Sequence, residues 1–95
     1  MLKQVGSIDL PAHNRAGGFD HADIHQGKSL LYLAHTANDA LDVIDCANDR
    51  YLRSIPGLTG IAGVLVSEEN NLVFTSNRRE NTVAIFSPDD EPGIT

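Results

Sequence analysis

The strongest constraint on this chain is a recurrence. Leu30-Leu31-Tyr32-Leu33-Ala34-His35-Thr36, a polar turn, and Leu41-Asp42-Val43-Ile44-Asp45 return forty-two residues later. The second copy reads Leu72-Val73-Phe74-Thr75-Ser76-Asn77, a polar turn, and Thr82-Val83-Ala84-Ile85-Phe86. Without a gap, the shift pairs Ile24 with Val66, Leu30 with Leu72, Leu31 with Val73 and Tyr32 with Phe74. It also pairs Leu41 with Val83, Val43 with Ile85, Ile44 with Phe86 and Leu52 with Ile94. Identity is almost absent across these pairs, but every one keeps its apolar class. Two copies of one structural unit demand that, since packing constrains size and polarity more than identity.

The segments within a unit are short and punctuated. Asp20 to His25 alternates polar and apolar side chains, the period-2 signature of a strand. Gln26-Gly27-Lys28-Ser29 then reads as a turn, 30–36 as a strand and Ala37-Asn38-Asp39 as a hairpin turn. Strand 41–46, turn 47–50 and strand 51–55 follow, stopped by Pro56-Gly57. The second unit predicts strands at 63–67, 72–77 and 82–87, with its fourth strand missing or only begun at Ile94. Gly57 to Gly63 is expected to link the units, because its glycine spacing is not that of a phosphate-binding loop. Residues 4–10 are a further strand candidate ending at Pro11. No stretch of ten residues carries clean helical periodicity. Four short strands repeating every 40–45 residues mark a β-propeller blade. The expected class is therefore all-β, a WD40-like propeller segment spanning 1–95, with four-stranded antiparallel blades at about 19–57 and 61–95.

Leu31-Tyr32-Leu33-Ala34-His35, Leu41-Asp42-Val43-Ile44-Asp45 and the turn Ala47-Asn48-Asp49-Arg50 resemble the YVTN-type β-propeller repeat. Val73-Phe74-Thr75-Ser76-Asn77 with Val83-Ala84-Ile85-Phe86 resembles it again. The resemblance covers residues 19–95 and implies the propeller architecture. His35 departs from it, standing where the repeat carries the Asn that Asn77 keeps. Members serve as binding proteins, surface repeats and in some cases enzymes, so the resemblance speaks to fold more than to function.

Two units cannot close a propeller, which takes about four to eight blades. An isolated pair would leave apolar flanks larger than the few hundred Å² that a monomer tolerates. The chain is therefore expected either to self-associate or to be a piece of a longer propeller. In the first case residues 4–10 of one copy would complete the last blade of its neighbour. Three or four copies would then form a head-to-tail ring of about six or eight blades.

Charge and composition exclude other classes. Seven basic against thirteen acidic side chains give a net charge of −6, which opposes nucleic acid and anionic membrane as partners. DNA binding, known among related propellers, is disfavoured on that ground. Nothing approaches the roughly twenty apolar residues of a membrane span, and Met1 to Gly6 lacks a signal-peptide core. As encoded, the chain is expected in the cytoplasm, although relatives of the repeat are often exported. The single cysteine, Cys46, excludes an internal disulfide and reads as a small, partly buried side chain.

The chemical oddity is histidine. Four occur, three of them between His21 and His35, and His21 and His25 share a strand face with Asp23. His21, Asp23 and His35 are the candidate ligand or metal residues, since imidazole and carboxylate suit zinc. Against that, His21 and His25 lie about 13 Å apart along an extended strand, too far for one ion. No serine sits in a nucleophile-elbow context. Arg78-Arg79-Glu80 reads as a solvated hairpin tip, and Asp89-Asp90-Glu91 as a solvated terminus. The expected function is a non-catalytic binding module for an unknown ligand or protein, without a cofactor. The alternative is a metal-dependent, lactonase- or hydrolase-like enzyme using a divalent ion in the channel.

Overall fold

The turns set the architecture. The computed structural model describes residues 1–89, and five tight turns there close on a residue of positive φ: Ser29, Asp39, Asp49, Asn71 and Asn81, between 50° and 57°. Short polar side chains are the ones that tolerate this left-handed region. Within each unit these residues stand ten apart. Ser29 and Asn71, like Asp39 and Asn81, are related by the forty-two-residue shift. The repeat therefore lives in the backbone as well as in apolar class.

Between the turns, seven strands run among the described residues: β1 (Ala22–His25), β2 (Leu30–His35), β3 (Ala40–Asp45), β4 (Arg50–Ile55), β5 (Ile61–Ser67), β6 (Leu72–Asn77) and β7 (Thr82–Phe86). They form two antiparallel sheets, β1-β2-β3-β4 and β5-β6-β7, each in sequence order. Single 3-10 turns at Gln26–Lys28 and Thr36–Asn38 join the first three strands. The class is all-β, and no helix among the described residues is long and apolar enough to cross a membrane.

Two expectations about strands need revision. Residues 4–10 form no strand, because an extended segment needs a ladder partner and this one finds none among the described residues of its own chain. The linker is shorter than its glycines suggest, since β5 begins at Ile61. Register slips between Ile61 and Gly63, where a side chain at Gly63 would place its Cβ 2.6 Å from Ser76 Oγ. Gly63 N instead donates to that hydroxyl at 2.8 Å. The fourth strand of the second unit falls on residues outside those described.

The sheets pack face to face, with β1 and β2 of the first lying against β5 of the second. Tyr32, Ala34, Leu41, Val43 and Ile55 of the first sheet form the core with Leu58, Ile61 and Val73. Polar side chains fasten this junction along its length. Asp23 Oδ2 accepts from Val66 N at 2.7 Å, and Glu68 accepts from Gln26 N and Gly27 N at 2.9 and 3.0 Å. Those two backbone donors, first Gln26 and then Gly27, hold the Glu68 carboxyl below its usual range.

The opposite face of the second sheet is apolar and open. Leu65, Phe74 and Ile85 lie in one register row, and Val83 opposes Ser76 beside them. Leu65, Val83 and Ile85 are 61%, 63% and 61% exposed.

Candidate functional site

The first sheet carries a chain of polar side chains on its other face, away from the core. Antiparallel register sets Ser54 of β4 opposite Asp42 of β3. His35 ends β2, and the short hairpin turn brings its ring back over Asp42. Its Nδ1 donates to Asp42 Oδ2 at 2.8 Å, and both side chains are wholly buried. Ser54 Oγ donates to Asp42 Oδ1 at 2.6 Å, and Tyr51 OH lies 2.7 Å from Ser54 Oγ. At the other end His13 Nδ1 stands 2.6 Å from His35 Nε2. Phe19 packs beside both rings, with centroids 5.1 Å from His13 and 4.3 Å from His35.

With Asp42 ionised, both imidazoles neutral and the 2.8 Å contact to Asp42 outcompeting the 3.4 Å contact of Asn38 Nδ2 for His35 Nδ1, the direction of every bond in the chain follows. An ionised Asp42 only accepts, so Ser54 and His35 Nδ1 are its donors. Ser54's single hydrogen is thereby used, and Tyr51 OH must donate to Ser54. His35 Nε2 is left with a lone pair, so His13 donates to it through Nδ1. Charge-assisted bonds on both oxygens are what make a fully buried carboxylate tolerable.

The N-terminal arm reaches His35 because the adjoining turn holds it. Asn38 accepts from Asn14 N at 2.6 Å and donates to Ala12 O at 2.9 Å. Asp39 Oδ1 accepts from Arg15 at 2.6 Å, Arg79 at 2.9 Å and Gly60 N at 2.9 Å. Its pKa falls from 3.8 to about 2, chiefly through the Arg15 hydrogen bond and then that of Gly60. One carboxylate thus ties the arm, the first sheet, the linker and the second sheet's hairpin tip. Gly60 is required there: φ is +69°, and a Cβ would lie 2.6 Å from Arg79 N.

The three residues singled out from sequence are held apart. His21 is solvent-facing, 3.4 Å from Asp20 Oδ1. Asp23 uses both oxygens on backbone, Oδ1 on Ile24 N at 2.8 Å and Oδ2 on Val66 N. His35 is buried in the polar chain. His25, close by in sequence, takes a different partner: Nδ1 accepts from Lys28 N at 3.2 Å, so Nε2 donates to Asn71 Oδ1 at 3.1 Å. Among the described residues no group of three or more His, Cys, Asp and Glu is placed to hold a metal ion. Arg79 and Asp89, read as solvated, are ion-paired with Asp39 and with Lys28 at 2.6 Å.

Sequence reasoning missed His13, Asp42, Ser54 and Tyr51. Asp42 sits between Leu41 and Val43, which imitates an outward-facing strand residue. The available signal was the hairpin itself, which folds a carboxylate back beside the histidine that ends the preceding strand. Comparison with known proteins finds no matching family model, no matching curated protein and no matching solved structure.

Proposed function

We propose that this chain is a non-catalytic binding module of the β-propeller type, resembling the YVTN repeat. Its two sheets are two blades, and three or four copies associate head to tail into a ring. One observation carries the reading. Leu41 and Val43 are 0% exposed under the second sheet, while their counterparts Val83 and Ile85 are 63% and 61% exposed. The same positions on the same scaffold are core in one unit and bare in the other.

The cover is a second copy, because the internal junction already supplies its template. Within the chain, Tyr32 and Val43 of the first sheet meet the side of the second sheet that carries Val66, Val73 and Phe86. The counterparts of that side on the first sheet are Ile24, Leu31 and Ile44, with Leu33 beside them. Docking Leu65, Phe74, Val83 and Ile85 on Ile24, Leu31 and Leu33 repeats the junction between copies; Ile44 is already covered within the chain, at 3% exposed. A repeated head-to-tail contact closes into a ring when its rotation allows. The arm at residues 4–10, unpaired among the described residues of its own chain, would add to the β7 edge of the neighbour, as edge strands invite. Loops at the ends of such a ring offer the surface for ligands.

Light scattering tests the assembly. The expected mass is three or four times 10.2 kDa, unchanged on dilution through the micromolar range. A folded, monodisperse 10.2 kDa species would remove the ring from the account.

A further inference from the structure

The chain Tyr51–Ser54–Asp42–His35–His13 ends at an atom that the fold leaves unused. His13 Nε2 makes no hydrogen bond among the described residues, and the His13 ring is exposed. The donor order worked out above places the His13 proton on Nδ1, so Nε2 presents a lone pair. A free imidazole would be at liberty to exchange its tautomers. Here the buried carboxylate, acting through His35, holds one.

His13 also lines a surface groove of about 350 Å³. Ile8, Leu10, Pro11 and Phe19 make its apolar lining, and Asp9 supplies a carboxylate. Apolar walls with a few polar groups are the usual makeup of a small-molecule site. Asp9 and the net charge of −6 disfavour anions. We propose that this groove binds a small neutral aromatic alcohol of the phenol class. Its hydroxyl donates to His13 Nε2 and its ring lies against Phe19. His13 is the contact residue; His35 and Asp42 are positioning residues that keep Nε2 an acceptor. The site lies within one chain and needs Ile8, Asp9 and Leu10 on that chain's own arm, so it exists only where residues 4–10 have not crossed to a neighbour.

Asp42→Asn gives the proposal its sharpest consequence. Of the two amide orientations open at position 42, the one that keeps Ser54 as donor puts the amide oxygen on Ser54 and the amide nitrogen on His35 Nδ1. His35 must then carry its proton on Nε2 and donate to His13 Nδ1. His13 is left protonated on Nε2, and its unbonded ring nitrogen changes from acceptor to donor.

The test is nitrogen-15 NMR of the histidine rings in the whole chain, well above the ordinary imidazole pKa of about 6.5. Phenol is titrated in, and anisole serves as the same shape without the donor. The expected result is a proton on Nδ1 of both His13 and His35 in the wild type. Phenol should shift the His13 Nε2 signal saturably and bind about tenfold more tightly than anisole, one hydrogen bond's worth. Asp42→Asn should move the His13 proton to Nε2 and remove that preference. Should that variant not fold, His13→Phe at the exposed end should abolish the preference with the fold intact. A wild-type His13 protonated on Nε2, equal binding of phenol and anisole, or no saturable shift would each overturn the proposal.

Discussion

The two sheets obey one backbone plan and differ in what their equivalent positions bury. Leu41 and Val43 are closed in, and Val83 and Ile85 are bare. On the other face the difference is chemical. His35 and Asp42 of the first sheet correspond to Asn77 and Ala84 of the second. Asn77 is satisfied locally, accepting from Thr75 Oγ1 at 3.2 Å and donating to Thr82 Oγ1 at 3.3 Å, while Ala84 packs on the core. The second sheet's inner face meets another sheet, so an apolar residue serves at position 84. The first sheet's outer face meets the N-terminal arm, and there a buried carboxylate can be given two donors. Strand geometry and turn chemistry are what the repeat preserves; the side-chain chemistry follows whatever lies on top.

That contrast can be broken at several points. The largest effect is expected from Val83→Lys with Ile85→Lys. If the bare face is an interface, the pair of charges should reduce the particle to a single chain by light scattering. Circular dichroism should stay that of the β fold. Retained assembly would mean that the second sheet's outer face is not the contact. Leu41→Ala, at the buried counterpart, should lower the unfolding free energy by about 2–5 kcal/mol in denaturant melts. A cost below about 1 kcal/mol would place Leu41 outside the core and undo the comparison from its other side.

A smaller effect is expected at Asp39, which fastens the two sheets at the arm. Its folded pKa of about 2 lies below the ordinary 3.8, so its contribution is complete above the ordinary value. It is lost as pH falls through the folded value, because protonation then costs the folded state its Arg15, Gly60 and Arg79 contacts. Both arginines are about half exposed, which limits the effect to about 1 kcal/mol. Asp39→Asn should flatten that part of the stability–pH curve; an unchanged slope would show that the clasp is idle. The smallest effect is expected at Tyr32. Its hydroxyl is buried without a hydrogen-bond partner among the described residues, and burial raises its pKa. Tyr32→Phe should leave the melting midpoint unchanged or raise it slightly, since no bond is lost. A loss above about 1 kcal/mol would reveal a partner for that hydroxyl.

Much of the fold was legible because it depends on local rules. Apolar alternation gave β2, β3, β6 and β7 nearly to the residue, and the turns at Asn38-Asp39 and Glu68–Asn71 followed from side chains that accept positive φ. Residues 4–10 form no strand within the described chain, because period-2 alternation reports a capacity for pairing and says nothing of whether an edge is at hand. The site was less legible. His35 drew attention as a departure from the repeat, but its partners His13, Asp42 and Ser54 come from three other segments. Only the register between β3 and β4 and the clasp on the arm bring them together. His21 and Asp23 share a face in sequence yet serve solvent and the β5 backbone, because the neighbouring sheet claims Asp23.

The most direct measurement is a mixed-label methyl NMR experiment on an equimolar mixture of labelled and unlabelled copies, filtered for contacts between them. The account predicts contacts from Leu65, Val83 and Ile85 of one copy to Ile24, Leu31 and Leu33 of the next. Contacts of Val83 and Ile85 with the same residues of another copy would indicate a two-fold dimer. That pattern, or no intermolecular contact at all, would contradict the head-to-tail ring.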